Sequence, residues 1–444
     1  MQKNRMHIGI DDTDSTRKGC TTYVAALLVD KLLKLGCEFV DYPNLIRLNP
    51  NVPWKTRGNG ALCLRINYTK SLEDQIKEIT TSLVEQNSDL EWTGTDPGIV
   101  FFQTLEVPQE IKSYAARAVK DIVTLKEAVK LIRRFKGEAL GYNTQRGIIG
   151  ALAAVGETLE NDHTYELIAY RNPENWGSPR RVDESSIFEM DNLLQPYTFN
   201  NVDYEKKRVI ITPRGPDPIL FGIRGETPEV VKKAFRLVKP LEPVERWMIF
   251  RTNQGTDAHL KQCSSLCEIE PYSTVIATAE VSNNPRIVPL RHVIFSIKDE
   301  TAEVDCAAYE PTGNLRKIAR ELTIGDNVEV SGAAKKTKTP TLTINLEKLK
   351  ILQLTQKNKV QNATCQKCQK RLKSMGKNKG YKCEKCGTRY THAEKISTSI
   401  ARQIKPGFYM TATRSQRHLT KPLRRYGLEK TQLDALTLIK GWHS

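Results

Sequence analysis

Three carboxylates stand within four residues near the amino end of the chain: Asp11, Asp12 and Asp14, in the run GIDDTD. Carboxylates this close repel one another unless a cation lies among them. The apolar run before them, Met6-His7-Ile8-Gly9-Ile10, reads as a buried strand, and residues 21–35 after them read as a helix. Acids at a strand's carboxyl end, facing a helix amino end, suit Mg²⁺ and the phosphates of a nucleotide. A solvated acidic turn closed by an Asx cap is the plainer alternative. Thr21 and Thr22 open the helix. Hydroxyls there either cap it or meet a docked phosphate, as phosphoryl acceptor or metal ligand.

Further along, Val52-Pro53-Trp54-Lys55-Thr56-Arg57-Gly58-Asn59-Gly60 joins two strand-like runs. Asn59-Gly60 signals a hairpin turn. Lys55 and Arg57, beside glycines, also suit a phosphate cradle, although the loop lacks the GxxxxGK[ST] pattern. Arg224 sits among Gly222 and Gly225 in a strand-to-helix turn that explains the glycines and not the Arg. Cys365-x2-Cys368-x14-Cys383-x2-Cys386 is a closed set of four thiolates for structural Zn²⁺. Lys367, Arg371 and other cations surround it; His392 would be a fifth ligand and reads as a surface residue. Cys263-x3-Cys267 is a lone pair of thiols. Near the carboxyl end, Phe408, Tyr409 and Tyr426 interleave with Arg414, Arg417, His418, Lys421 and Arg424. That mixture fits stacking on unpaired bases together with phosphate contacts.

These residues need elements to hold them. A length of 444 residues allows three or four domains at about 100–200 residues each. Residues 6–105 alternate strand and helix signals in the order β-α-β-β-α-β, which is that of a ferredoxin-like sandwich. Residues 108–160 read as mostly helical, ending in GIIGALAAVG. A second α/β region follows, with strands TYELIAYR, RVIITPR, PILFGIRG and ERWMIFRTNQ, and a helix that Thr227 caps with Pro228 at its first position. The polar stretch from Asn172 to Tyr204 reads as a long loop. Residues 271–354 show three strands, a helix and two strands, the order of an OB-fold, which commonly binds single-stranded nucleic acid. The last run, TQLDALTLIKGW, reads as a helix that docks on the body.

Charge is unevenly placed. Residues 357–444 hold 21 Lys and Arg against 4 Asp and Glu, so they carry the whole net charge of +17 and the rest is neutral. A neutral body with a basic end points to nucleic acid, the alternative being a solubilising tail. No run of about 18 apolar residues spans a membrane. The start shows no signal peptide, so a cytoplasmic, reducing setting without disulfides is expected.

Together the motifs resemble one family, the archaeal synthetases of 2-agmatinylcytidine (agmatidine) in isoleucine tRNA. The matching segments are GIDDTDS, CTTY, RLNPNVPWKTRGNGA, GIIGALAAVG, ELIAYR, GIRGE, MIFRTNQGTDAHL, NLEKL, the zinc ribbon, PGFY and RHLTKPL, in order along the chain. The resemblance implies an ATP-dependent ligase that joins agmatine to C2 of the wobble cytidine in the CAU anticodon, releasing AMP and two phosphates. It implies an α/β multidomain chain with kinase-like and ferredoxin-like regions, an OB-fold barrel and a zinc ribbon. The expected boundaries are residues 1–140, 141–256, 270–355 and 360–392, with a basic RNA-binding tail at 393–444. By similarity, Asp11, Asp12 and Asp14 hold Mg²⁺ and ATP, and Thr21 is the threonine that the family phosphorylates on itself. Lys55, Arg57, Asn59 and Gly60 would meet the phosphates. Agmatine's guanidinium needs a carboxylate or carbonyl cage, for which Asp217, with Arg224 nearby, is the candidate. Lys367, Arg371, Arg417, His418, Lys421 and Arg424 would meet the tRNA, and no obligate protein partner is evident. The rival is a non-enzymatic binder of single-stranded nucleic acid, which leaves GIDDTD unexplained. A lysine-using tRNA ligase would carry an SGGxDS-type loop, which the chain lacks. A protein or small-molecule kinase would not need the RNA-binding parts.

Overall fold

The computed structural model describes residues 4–336, 342–431 and 437–444. Its first region runs β1 (Asn4–Asp11), α1 (Thr21–Lys34), β2 (Glu38–Phe39), β3 (Asn44–Arg47), β4 (Gly60–Tyr68), α2 (Glu73–Asn87), β5 (Gly98–Phe102), α3 (Gln109–Lys120), α4 (Leu125–Arg134), β6 (Glu138–Gly141) and α5 (Gly147–Gly156). The expected β-α-β-β-α-β order is present, with β2 a short addition beside β4. Strand alternation divides the side chains between two cores. Met6, Ile8 and Ile10 of β1, with Leu62, Leu64 and Ile66 of β4, pack under α1 and α2. Cys63 of β4 and Val100 and Phe102 of β5 pack under α3, α4 and α5. Helix α5 is apolar all round because every residue but Ile149, which faces a cavity, is buried. Gly9 lets it lie hard against the sheet: a Cβ there would stand 2.8 Å from the Ala151 carbonyl carbon.

The second region runs β7 (Thr164–Arg171), α6 (Glu184–Leu194), β8 (Thr198–Phe199), β9 (Val202–Asp203), β10 (Arg208–Val209), β11 (Ile219–Gly225), α7 (Pro228–Leu237) and β12 (Val244–Thr252). Two expectations change here. The stretch expected as a long loop contains α6, whose Ile187, Met190 and Leu194 share a face at helical spacing and whose first turn is capped by Asp183 accepting from Ser185 N at 3.0 Å. RVIITPR gives only the two residues of β10; Pro213 has no N–H to donate, and the chain leaves the ladder to become a cavity wall. Thr227 caps α7 as expected, accepting from Val230 N at 3.3 Å. The two regions share one ten-stranded sheet, ordered β6-β5-β1-β4-β3-β12-β7-β11-β8 with β2 off this path. Its seam is the parallel pairing of β12 with β3, Arg251 opposite Asn44.

Next come β13 (Leu260–Gln262), β14 (Thr274–Val288), β15 (His292–Lys298), β16 (Glu303–Ala308), α8 (Asn314–Arg320), β17 (Asn327–Lys336) and β18 (Leu342–Gln353). The antiparallel β14–β17 pairing closes β14-β15-β16-β18-β17 into a barrel around Val281, Phe295, Val330 and Ile344. β19 (Lys357–Gln361) pairs with β23 (Ile396–Ile400), and the ribbon between them holds β20 (Lys373–Ser374), β21 (Tyr381–Lys382) and β22 (Arg389–Tyr390). The segment after the ribbon is built into the body. β24 (Gly407–Met410) adds an antiparallel strand to β18. Arg425 is fully buried, with its guanidinium on Glu226 (2.6 Å) and Asp162 (2.8 Å). Arg402 reaches Asp326 at 2.7 Å and Arg414 reaches Asp203 at 2.8 Å. Residues 432–436 of the expected final helix lie outside the described residues. Residues 437–442 are not helical, and Trp442 docks among Phe39 and Tyr42 with ring centroids 5.6 and 5.9 Å away. Among the described residues, no helix is long and apolar enough to cross a membrane.

Candidate active site

A cavity of about 450 Å³ opens at the carboxyl end of β1, where the two halves of the sheet meet. Asp11, Asp12, Asp14, Thr21, Lys55, Arg57, Asn59 and Gly60 line it from the first half, Asp217 and Arg224 from the second, and His418 from the carboxyl-terminal segment. Residues far apart in the sequence thus face one space.

β1 delivers the acids. Asp11 ends the strand, and Asp12 bends the chain with φ at 58°, a conformation that a short polar side chain tolerates and that clusters at functional sites. Asp11 lies against α5 at Gly150, half-buried at the cavity wall. Burial, followed by the charges of Asp12 and Asp14, raises its pKa well above the usual carboxylate range. Asp12 accepts from Thr56 Oγ1 (3.2 Å) and Asp96 N (3.1 Å). Burial, with the Asp14 and Asp96 charges, still pushes it up to about 6. Asp14 accepts from Arg57 Nε at 2.5 Å, and the same guanidinium reaches Gly19 O (2.6 Å) and Asp217 Oδ2 (3.1 Å). Arg57 therefore bridges the acidic turn and the second half.

The turn offers only hard oxygen donors, and its desolvated acids favour an added cation, which fits Mg²⁺. Its three carboxylates do not converge on one point. Among the described residues, the four cysteines are the only group of three or more His, Cys, Asp or Glu whose donor atoms lie within 4.8 Å of one another. One or two carboxylates completed by phosphate oxygens is the usual manner of holding Mg²⁺.

Thr21 is the first residue of α1. Cys20 occupies the cap position and no side chain caps the helix, so the capping reading of the threonines gives way. The Thr21 hydroxyl instead accepts from Thr13 Oγ1 at 3.0 Å, both buried. Asn59, at φ 49°, closes the 48–59 loop: Leu48 N donates to its carbonyl (2.9 Å) and its own amide donates to Asn49 O (2.7 Å). Lys55 donates to Arg57 O at 2.9 Å.

In the second half, both carboxylate oxygens of Asp217 are engaged. Oδ1 accepts from Arg180 Nη2 (3.1 Å) and Ile219 N (3.2 Å), and Oδ2 from Arg57. Arg180 fills a carbonyl cage made by Gly215 (2.9 Å), Asp217 (2.8 Å) and Ile219 (2.5 Å). Arg224 donates from Nε to Glu166 Oε1 at 3.1 Å, and its Nη2 lies 2.9 Å from His418 Nδ1. Burial, then the Arg47, Arg224 and Lys55 cations, lowers the His418 pKa well below its ordinary value, so the ring is neutral.

Residues absent from the sequence-based set also shape the cavity. Asp96, buried, gives its N–H to Asp12 and holds Arg146 through Nε (3.0 Å) and Nη2 (2.8 Å). Arg146 lines the cavity at the start of α5. Glu166 stands at its wall, with Gln254 Nε2 on Oε2. Two of them left a faint signal: Asp96 closes a turn-rich run before the apolar β5, and Glu166 is an acid inside the otherwise apolar TYELIAYR.

The remaining expected residues lie elsewhere. Lys421 pairs with Glu429 (3.0 Å) and Arg424 with Asp191 (2.9 Å), both on the body. Lys367 and Arg371 are on the ribbon, away from the cavity. The four cysteines converge there, with Sγ–Sγ distances of 3.5 Å for Cys365–Cys386 and 3.3 Å for Cys368–Cys383. Tetrahedral Zn²⁺ with bonds of about 2.3 Å asks for slightly wider spacing, so the set fits it with a small expansion.

Comparison with known proteins covers the chain almost end to end. Residues 7–144 match the TiaS TCKD domain, 145–259 the TiaS FLD domain, 278–352 an OB-fold nucleic acid binding domain and 362–404 the TiaS C-terminal zinc ribbon domain. The isoleucine-tRNA 2-agmatinylcytidine synthetase TiaS of Methanocaldococcus jannaschii is 44% identical over 426 residues, 94% of this chain and 98% of that relative. A crystal structure of TiaS in complex with its isoleucine tRNA and ATP is 40% identical with a TM-score of 0.86, covering 95% of this chain and 97% of that one. A complex of TiaS with the same tRNA, AMPCPP and agmatine is 38% identical with a TM-score of 0.85 over the same shares.

Proposed function

Because the chain belongs to the TiaS family of isoleucine-tRNA 2-agmatinylcytidine synthetases, we propose that it uses ATP to join agmatine to C2 of the wobble cytidine of the AUA-reading isoleucine tRNA. The observation that carries this is the cavity in which the acidic turn, the Thr21 hydroxyl and the Arg57, Glu166 and Arg224 groups meet. A binding protein of OB-fold and ribbon has no use for buried carboxylates there.

The chemistry sets what the residues must do. Oxygen at C2 of cytosine leaves poorly; phosphorylation of O2 makes it leave as phosphate when the amine of agmatine attacks C2. Mg²⁺, when bound, draws charge from the phosphate oxygens. Asp11, Asp12 and Asp14 are the residues that would hold it. The raised pKa values of Asp11 and Asp12 mark a site that gains by binding a cation. Arg57, between Asp14 and Asp217, is placed to turn its guanidinium toward phosphate oxygens. Thr21, oriented by Thr13, offers its oxygen as a phosphoryl acceptor in the same space. The Asp217 region already holds two guanidinium groups, those of Arg180 and Arg57, which supports it as chemistry able to recognise agmatine. Zn²⁺ would fix the ribbon through Cys365, Cys368, Cys383 and Cys386.

Mass analysis of the wobble nucleoside tests the reaction. Incubation of the target tRNA with protein, ATP and agmatine is expected to add agmatine minus water at one cytidine, and only with all three present. ATP consumption without any change in the tRNA would refute it.

A further inference from the structure

The ring of His418 stands between two partners that it cannot satisfy together. Arg224 Nη2 lies 2.9 Å from its Nδ1, and Gln254 Oε1 lies 3.0 Å from the same atom. Glu166 fixes both: its Oε1 accepts from Arg224 Nε at 3.1 Å and its Oε2 accepts from Gln254 Nε2. Turning the Gln254 amide over would set its oxygen against the Glu166 carboxylate, so the oxygen faces the histidine. A guanidinium only donates, and an amide oxygen only accepts. With Nδ1 bare, the ring accepts from Arg224 and meets Gln254 lone pair to lone pair. With Nδ1 protonated, it donates to Gln254 and meets Arg224 hydrogen to hydrogen. A doubly protonated ring has that second conflict too, and burial, with the Arg47, Arg224 and Lys55 charges, opposes it further.

The conflict ends when Arg224 releases the ring. Its Nε bond to Glu166 serves as a pivot, and Arg224 lines the cavity of the acidic turn. An anionic oxygen there attracts Nη2 more strongly than a neutral ring does. Nδ1 then carries the proton and donates to Gln254, which leaves the lone pair on Nε2. Among the described residues, no group hydrogen-bonds Nε2. That nitrogen stands beside Gly58, where a Cβ would lie 3.0 Å from it, and Gly58 and His418 both line the cavity. The residue is also held in place: Gly255 N donates to His418 O at 2.8 Å, and Thr420 Oγ1 donates to Glu347 at 2.9 Å. A fixed neutral ring with one free nitrogen and a ligand-set tautomer has the attributes of a proton acceptor.

Attack of agmatine on the activated cytosine requires one. As the C2–N bond forms and the C2–O2 bond breaks, phosphate leaves with that bond's electron pair and the nitrogen sheds a proton. Bonding to carbon makes the nitrogen strongly acidic, so a weak base suffices. The acids of this half of the cavity are committed: Glu166 to Arg224 and Gln254, and Asp217 to Arg180, Ile219 and Arg57. We propose that His418 is a catalytic residue of the amine-transfer step: Arg224 moves onto the phosphoryl oxygens, and Nε2 takes the proton of the attacking nitrogen and passes it to the departing phosphate. The proposal rests on the tRNA-ligase reading.

The test separates the step that activates the tRNA from the step that consumes the activated form. The full-length protein and a His418→Asn variant, which keeps a polar group near Nδ1 and has none at Nε2, are given phosphate-labelled ATP, tRNA and agmatine. In the parent, label should pass through the tRNA to free phosphate. In His418→Asn, labelled tRNA should build up, with kcat for agmatine transfer lowered about 100-fold or more and KM for agmatine unchanged. Self-phosphorylation, which involves no amine, should proceed at the parental rate and shows that the variant is folded. Transfer within about threefold of the parent, below the usual effect of losing a general base, would overturn the proposal. So would a variant that builds up no labelled tRNA, a raised KM with kcat intact, or loss of self-phosphorylation together with transfer. If the parent modifies no tRNA, the ligase reading fails instead.

Discussion

Replacing Gly150 by Ala tests whether the Asp11 carboxylate works where it stands. A Cβ added at Gly150 would lie 2.6 Å from Asp11 Cγ and 3.1 Å from Leu48 Cδ1. Carbon atoms in contact prefer about 3.5–4.0 Å, so the carboxyl group must retreat by about 1 Å. Gly150 belongs to a buried helix packed on the sheet, and the helix cannot yield instead without disturbing its contacts at Gly9 and Gly98. Stability should change little: overpacking costs about 1–3 kcal/mol, and Ala in a helix interior returns about 0.5–1 kcal/mol relative to Gly. Function should change much more, because a 1 Å misplacement at a reacting centre costs about 100-fold. Gly150→Ala is therefore expected to unfold at nearly the parental temperature while its ATP consumption, followed with labelled ATP in the presence of tRNA and agmatine, falls about 100-fold. A folded variant turning over ATP within about threefold of the parent would refute the placement of Asp11 at the nucleotide.

Other expectations are as direct. Thr21→Ala should end incorporation of label from ATP into the protein itself; a variant still labelled at the parental level removes Thr21 from that role. At Glu347, burial would raise the carboxyl pKa, but His259, Arg417 and Thr420 outweigh it and hold it at about 2 against the ordinary 4.5. Its contribution to stability is thus full above pH 4.5 and lost as pH falls through about 2. Glu347→Gln should unfold more easily than the parent in urea at pH 6, with the gap closing between pH 4.5 and 2; a gap independent of pH counts against the ionic account. Removing Zn²⁺ with a chelator should loosen only the ribbon, whose small core around Cys365, Leu372 and Cys383 is its own. tRNA affinity should drop while self-phosphorylation persists, and loss of both together would show the ribbon to support the body.

Much of the fold is legible because its signals are local. Strands β1, β4 and β5 are near-continuous apolar runs, Thr227-Pro228 announces α7, and the thiolate spacing announces the ribbon. α6 is hidden because polar residues outnumber its three core positions, so composition outweighs periodicity. The joining of the halves is illegible: the β3–β12 pairing links residues about 200 positions apart and rests on only two opposed pairs. At the site, the acids and Thr21 can be picked out because motif and candidate chemistry coincide in one turn. Asp96, Arg146 and Glu166 cannot, since each matters through a partner from another element. The basic end is legible as a count and only in part as a place. Ribbon cations such as Lys367 and Arg371 stand apart from the body, whereas Arg402, Arg414, Arg424 and Arg425 neutralise its carboxylates.

The carboxyl-terminal weave bears on the order in which the enzyme is made. A ribosome delivers the acidic turn first and His418 hundreds of residues later, yet both face one cavity. Arg425 and Trp442 then fasten that last segment into the second region and the first core. A nascent or prematurely terminated chain ending before residue 418 carries its acidic turn without the wall that completes the cavity. The cavity is therefore complete only after the OB-fold and the ribbon have been translated.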